Sequence, residues 1–231
     1  MKWILCLLVL AGCGKADVRS DEAPAGVSDL GADSVVAPFA TGTGPAAWSD
    51  RAGTQAWTST TLAAVRANFA SFEKAKDRED FCPGYSAATR AQREICWLRL
   101  VSAVAKFESG FNPATLYKES NGVYSVGLLQ LSSGECSGAS SVSALKDPLK
   151  NLACGTAKMA GLIARYGYVT TADNKHGAAA YWSTLRRPYV SGHLHLGKRT
   201  EVARLTAAYR EVASPSSRML ADGNDFEPEV Q

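Results

Sequence analysis

Four cysteines behind an export signal constrain this chain more than any other feature. Residues 1–13 read MKWILCLLVLAGC. One lysine precedes an apolar run over residues 3–10, and small residues follow. That order is a secretory signal, and the run is too short to cross a membrane as a mature helix. Cys6 lies inside the signal. Past the leader stand Cys82, Cys96, Cys136 and Cys154. In an oxidising compartment four cysteines pair as two disulfides, in one of three ways. The local pairing, Cys82 with Cys96 and Cys136 with Cys154, is favoured. Each bridge then closes a loop of about 15 residues, a constraint of about 3 kcal/mol on the unfolded chain. A structural zinc site is disfavoured because no C-x-x-C occurs.

The end of the leader is more specific than an ordinary cleavage site. Leu10-Ala11-Gly12-Cys13 resembles the lipobox of bacterial lipoproteins. The resemblance implies cleavage after residue 12, acylation of Cys13 and a lipid anchor in a membrane, which more than one acyl chain makes stable. Gly14 follows, with no aspartate to suggest inner-membrane retention. The expected location is the periplasmic face of a membrane in a Gram-negative-type cell, with the outer membrane favoured. Residues 13–47 then form the lipidated cysteine and a tether rich in Ala, Gly, Asp, Ser and Val, with an r.m.s. reach of about 30–35 Å. Residues 214–231 carry Asp222, Asp225, Glu227 and Glu229 against Arg218 and read as a frayed acidic tail.

A single globular domain is expected over residues 48–213. The flanks hold 4 of the 25 basic and 9 of the 22 acidic residues, so the middle carries a net charge of +8 although the whole chain carries +3. Such an excess favours an anionic partner. An exported chain rarely meets nucleic acid, so none is expected; a bacterial wall with acidic peptide stems fits better. No apolar run approaches about 18 residues, which excludes a multi-span membrane protein.

The domain reads as mostly helical. Residues 58–61 offer caps before Leu62, Val65, Phe69 and Phe72, which fall on one helix face. A second helix is expected over about 87–108, with Ile95, Leu98, Val101, Ala105 and Glu108 at steps of three or four, stopped by Gly110 and Pro113. Residues 116–143 are rich in Ser and Gly, with Asn121-Gly122 as a turn signal, and suggest loop or a small hairpin. Asp147-Pro148 opens the clearest helix, as N-cap and first helical residue, and Gly167 ends it. Shorter helices are expected over about 176–185 and 200–212. Trp48, Trp57 and Trp97 read as core.

The chemistry points to Phe107-Glu108-Ser109-Gly110-Phe111-Asn112-Pro113. A lone carboxylate ends an apolar helix there. In an apolar cleft, desolvation raises a carboxyl pKa, and an acid still protonated near neutrality can protonate a glycosidic oxygen. Glu-Ser-x-Phe-Asn-Pro is followed by Ser125-Val126-Gly127-Leu128-Leu129-Gln130, then by Asp147-Pro148-Leu149-Lys150-Asn151-Leu152 with Gly155, then by Ala179-Ala180-Tyr181. This series, over roughly residues 90–189, resembles the soluble-type lytic transglycosylases.

The resemblance implies a lysozyme-like α+β fold with a saccharide-binding groove, acting on peptidoglycan glycan strands between N-acetylmuramic acid and N-acetylglucosamine. It implies Glu108 as acid and base, Tyr181 hydrogen-bonding beside it, and Ser125, Gly127, Leu129 and Gln130 along the groove. It implies 1,6-anhydro ends, no cofactor and no metal, and the chain is expected to act as a monomer. Trp182 stands where the family usually has Asn and is expected to change the groove wall. Leu129 stands where Met is common, and Tyr124 where Gly is frequent.

Two alternatives have distinct requirements. A hydrolytic lysozyme, acting on an ordinary or a deacetylated wall, needs a second carboxylate about 5–9.5 Å from Glu108. Glu119, Glu135, Asp147 and Asp173 are the candidates; Asp147 is more simply an N-cap, and Glu119 is the strongest. A catalytically silent wall-binding lipoprotein would leave Glu108 or Tyr181 turned away from the groove. Other motifs carry no function: Ser71 to Lys74 and Ser143 to Lys146 fit S-x-x-K without a K-T-G partner. His193 and His195 alone make a poor metal site.

Overall fold

The computed structural model describes residues 44–190, 193–194 and 197–209. The leader, Cys13, the tether up to residue 43 and the acidic tail lie outside them. Among these residues, seven helices and two small sheets follow in chain order: α1 (Gln55–Ala67), α2 (Phe69–Phe72), α3 (Arg78–Phe81), α4 (Arg90–Ser109), β1 (Leu116–Lys118), β2 (Tyr124–Val126), β3 (Leu131–Ser132), α5 (Val142–Leu145), α6 (Pro148–Tyr166), β4 (Tyr189–Val190), β5 (His193–Leu194) and α7 (Arg199–Ala207).

The two long helices begin and end on side-chain chemistry. Asp147 Oδ1 accepts the main-chain N–H groups of Leu149 and Lys150 at 2.9 and 3.2 Å, Pro148 takes the first turn, and Gly167 closes α6 at φ 74°. Helix α4 starts at a capping box not anticipated from the sequence. Gln92 N–H donates to Thr89 Oγ1, and Thr89 N–H donates to Gln92 Oε1. It ends, as expected, at Gly110 in the left-handed region.

The helix expected through residues 62–72 is broken. Asn68 turns the chain between α1 and α2, its side-chain amide donating to the Ala64 carbonyl at 2.9 Å. Asparagine competes with the helical main chain in this way. The helix expected over residues 176–185 is replaced by two short 3₁₀ turns, Ala178–Ala180 and Ser183–Leu185. Trp182 between them is extended at ψ 106°. The region expected as loop or hairpin is a three-stranded antiparallel sheet in the order β1-β2-β3, with Asn121-Gly122 in the β1–β2 connection.

Helix α4 forms the centre of the core. Its buried stretch from Cys96 to Ala105 is covered by α1 on one side and α7 on another, and α1 in turn packs on α6. Trp97 stacks on Phe72 with ring centroids 4.9 Å apart and donates its indole N–H to Tyr85 Oη at 2.7 Å. Trp48 and Trp97 are fully buried, whereas Trp57 only packs against the core. Both disulfides form in the local pairing, Cys82 with Cys96 and Cys136 with Cys154. The first ties the segment before α4 to that helix; the second ties the loop after β3 to α6. Among the described residues no helix is long and apolar enough to cross a membrane.

Candidate active site

The last turn of α4 delivers Glu108 to a cleft of about 460 Å³, whose opposite wall is the small sheet and its connections. Hydrophobic burial of the rest of α4 fixes the helix, so the position of Glu108 follows from core packing. The chain then leaves abruptly: Gly110 and Phe111 both adopt positive φ, 60° and 66°. For a phenylalanine this is a costly conformation. Phe111 holds it with its ring buried edge-on to Trp48 at 6.1 Å.

Glu108 is half-buried. Thr184, from the second 3₁₀ turn, donates its hydroxyl to Glu108 Oε1 at 2.7 Å. Burial pushes the Glu108 carboxyl above its ordinary range; the Thr184 hydroxyl and main chain pull it partly back, and the negative charge of Glu119 pushes it up again. Among the described residues no lysine, arginine or histidine pairs with it. A carboxyl in this setting keeps its proton further toward neutral pH than one in water.

Glu119 follows β1 and also lines the cleft. It is held by Ser125 of β2, whose hydroxyl donates to Glu119 Oε1 at 2.6 Å. Of the other carboxylates considered from the sequence, Glu135 is committed to Tyr181 and Lys158, Asp147 caps α6, and Asp173 sits in an exposed turn with Thr171 and Lys175.

Tyr181 lines the cleft but does not hydrogen-bond Glu108. Its hydroxyl accepts the Ser132 main-chain N–H at 2.9 Å and donates to Glu135 Oε2 at 2.7 Å. Burial, opposed by Ser132 and reinforced by Glu135, leaves the phenol pushed up to about 12. It therefore stays protonated across the physiological range and acts as a neutral group. Lys158 closes this end, with Nζ 3.2 Å from Glu135 Oε2 and 4.2 Å from the Tyr181 ring centroid.

Gln130 reaches the cleft from a residue at φ 48°. Its Nε2 donates to the Gly127 carbonyl at 2.8 Å, so Oε1 is the atom it has left for a ligand. Gly127 and Leu129, expected along the groove, stand behind its wall instead. Gly127 has φ 75°, and a Cβ there would collide with Asn151 and the Leu145 carbonyl. Leu129 is buried against Gly155, and its main-chain N–H donates to Asn151 Oδ1 at 2.9 Å. Trp182 touches the cleft, but it is only 1% exposed and donates its indole N–H to the Leu129 carbonyl at 2.8 Å. It braces the turn that presents Gln130.

Asn151 and Thr184 were not singled out from the sequence. Asn151 lies on the buried face of α6 between the sheet and α5, with Nδ2 donating to the Val126 and Leu145 carbonyls, each at 2.9 Å. Its signal was present: a polar residue on the same face as Leu152, Gly155 and Met159 needs partners inside. Thr184 gave no signal, because its role depends on a residue 76 positions away. Among the described residues no group of three or more His, Cys, Asp or Glu side chains is placed to hold a metal ion.

Comparison with known proteins identifies the frame around this cleft. Residues 86–198 match the transglycosylase SLT domain. The solved structure of wild-type Bd0314 DslA is 30% identical, with a TM-score of 0.59 over 69% of this chain and 93% of that chain. Two Glu-to-Gln mutants of DslA match at 29% identity, with TM-scores of 0.58 and 0.59; they cover 69% and 71% of this chain and 93% and 95% of theirs. The two substituted glutamates are eleven positions apart. Glu108 and Glu119 have the same separation. No curated protein matches the chain.

Proposed function

We propose that this chain, which belongs to the SLT transglycosylase family of lysozyme-like, peptidoglycan-cleaving enzymes, cuts glycan strands between N-acetylmuramic acid and N-acetylglucosamine with Glu108 as its acid and base. The observation that carries this reading is the setting of Glu108: a carboxyl in a cleft, raised by burial, with a threonine rather than a cation beside it.

The reaction follows from that setting. Protonated Glu108 gives its proton to the glycosidic oxygen as the bond to the muramic anomeric carbon breaks toward an oxocarbenium-like state. The resulting carboxylate takes the proton of the muramic acid 6-hydroxyl, whose oxygen closes on the anomeric carbon. The product carries a 1,6-anhydro end, and the proton is back on Glu108. The nucleophile is already tethered, so one carboxylate suffices. Gln130 Oε1 and the Ser125 and Ser132 hydroxyls offer polar contacts to the sugars. Tyr181, kept neutral, shapes the groove end.

Glu119 favours one second reading. It is a carboxylate on the same cleft, close enough to raise Glu108, and its separation from Glu108 matches the pair substituted in DslA. In that reading Glu119 activates a water or stabilises the cation, and the enzyme is a hydrolase on an acetylated or deacetylated wall. Mass spectrometry of the products from purified peptidoglycan separates the two. Muropeptides lighter by one water than the reducing species support the transglycosylase, and reducing ends support hydrolysis. No soluble product from either wall would overturn the catalytic assignment.

Export is consistent with the two disulfides. Acylation at Cys13 would hold the enzyme at a membrane surface and leave the tether to set its reach into the wall.

A further inference from the structure

Beside the Tyr181 end of the cleft lies a second cavity, of about 450 Å³. Its floor is one face of α6, and its rim is the turn that follows β3. Gly138, Ala139, Ala153 and Ala157 line it with almost no side-chain bulk. The rim is built, because the Cys136–Cys154 disulfide anchors it to α6 and Gly134 N–H donates to the Ser140 carbonyl at 3.0 Å across its base.

One wall separates the two cavities. Glu135 and Lys158 line the second and both meet Tyr181 of the first: Glu135 Oε2 accepts its hydroxyl at 2.7 Å, and Lys158 lies over its ring. The charge balance of the second cavity follows from that wall. Its carboxylate, Glu135, is already taken by Lys158 and by the Tyr181 hydroxyl. Lys150 stands exposed on the first turn of α6 and makes no ion pair among the described residues. The site therefore offers one uncompensated cation above a floor of methyl groups. A short peptide with small aliphatic side chains and a free carboxylate is complementary to it.

We propose that this cavity is a subsite for the acidic stem peptide carried by the muramic acid next to the scissile bond. Lys150 meets a stem carboxylate, and the alanine floor meets the stem's methyl groups. The inference rests on the glycan-cleaving reading of the neighbouring cleft: a sugar bound along Tyr181 would hang its lactyl peptide over the Glu135–Lys158 wall.

The test compares glycan strands that keep their stems with strands stripped of them by an amidase, using the full chain and its Lys150→Glu variant. A glutamate in the first turn suits the positive end of α6, so folding is preserved. Reversing one exposed charge should cost about fivefold in kcat/KM on stem-bearing strands, mostly through KM, and leave stripped strands unaffected. Equal losses on both strands, or no loss on either, would overturn the subsite. If the wild-type chain cuts neither strand, the catalytic reading fails separately. NMR titration with the isolated tripeptide alanyl-isoglutamyl-diaminopimelate then decides the subsite alone. Shifts at the Ala153 and Ala157 amides that vanish in Lys150→Glu support it, and unmoved amides overturn it.

Discussion

Helix α4 carries two glutamates that the fold treats in opposite ways. Glu94, near its start, is 7% exposed, and Arg66 and Arg90 each place Nε 2.8 Å from one of its oxygens. Glu108, in the last turn, is also removed from much of the solvent, but it meets a threonine and faces another carboxylate. Burial beside two cations turns a carboxylate into a brace between α1 and α4. Burial without one leaves a group whose proton is easily moved, which a general acid requires. The same helix thus spends one carboxylate on structure and keeps the other for chemistry.

The sharpest way to break this contrast is Glu108→Gln. It keeps the Thr184 hydrogen bond and removes the proton, so release of soluble muropeptides should fall roughly 10³-fold or more while the circular dichroism spectrum stays unchanged. Activity within about tenfold of wild type would remove Glu108 from the mechanism. Glu119→Gln comes next. If Glu119 only tunes its neighbour, the loss should be about tenfold; a loss approaching that of Glu108→Gln would assign a two-carboxylate hydrolase. The sign of the accompanying pH effect is set. The charge of Glu119 raises the Glu108 carboxyl, so its removal should shift the alkaline limb of kcat/KM to lower pH.

Thr184→Val tests the opposite perturbation. The threonine holds the charged form, and without its hydroxyl the Glu108 carboxyl rises further. The alkaline limb should move to higher pH, with a loss of about threefold to tenfold in kcat. Matching shifts in the two variants would mean that the limb belongs to another group. At the far end of the helix, Glu94→Gln should lower stability by about 1–2 kcal/mol in urea and leave kcat per folded molecule alone. A fall in kcat would show that the two ends are coupled.

What could be read in the sequence was local. Asp147-Pro148 and Gly110 act through their own main chain, so α6's start and α4's end were visible without a partner. The disulfide pairing was visible because each bridge spans a short loop. Glu108 and Glu119 stood out as carboxylates in a suggestive setting. The supports of the site were not legible, because each is a contact between distant segments. Thr184 reaches α4 from a 3₁₀ turn, Asn151 reaches the Leu129 N–H from 22 positions away, and Trp182 reaches the carbonyl of the same residue from 53. Those long contacts also explain why residues 176–185 are not a helix. Trp182 leaves the helical conformation at ψ 106°, its indole bonds back to the sheet, and Thr184 faces α4. Leu129 and Gly127 were assigned to the groove for their place in a motif, and packing puts them one layer behind it.

The smallest expected effect is also the most direct measure of the difference between the two carboxylates. The Glu108 carboxyl is raised on folding, so in the window above its ordinary range the folded chain binds more protons than the unfolded one. Stability then falls as pH rises through that window. Glu108→Gln removes this term and should raise Tm by about 2 °C at neutral pH, with the gain vanishing below about pH 4, where wild type is protonated in both states. Differential scanning calorimetry across that range would show a Tm difference that grows with pH. A difference that stays flat, or one that falls as pH rises, would mean that the carboxylate is compensated in the cleft, and the case for a poised acid would lose its energetic basis.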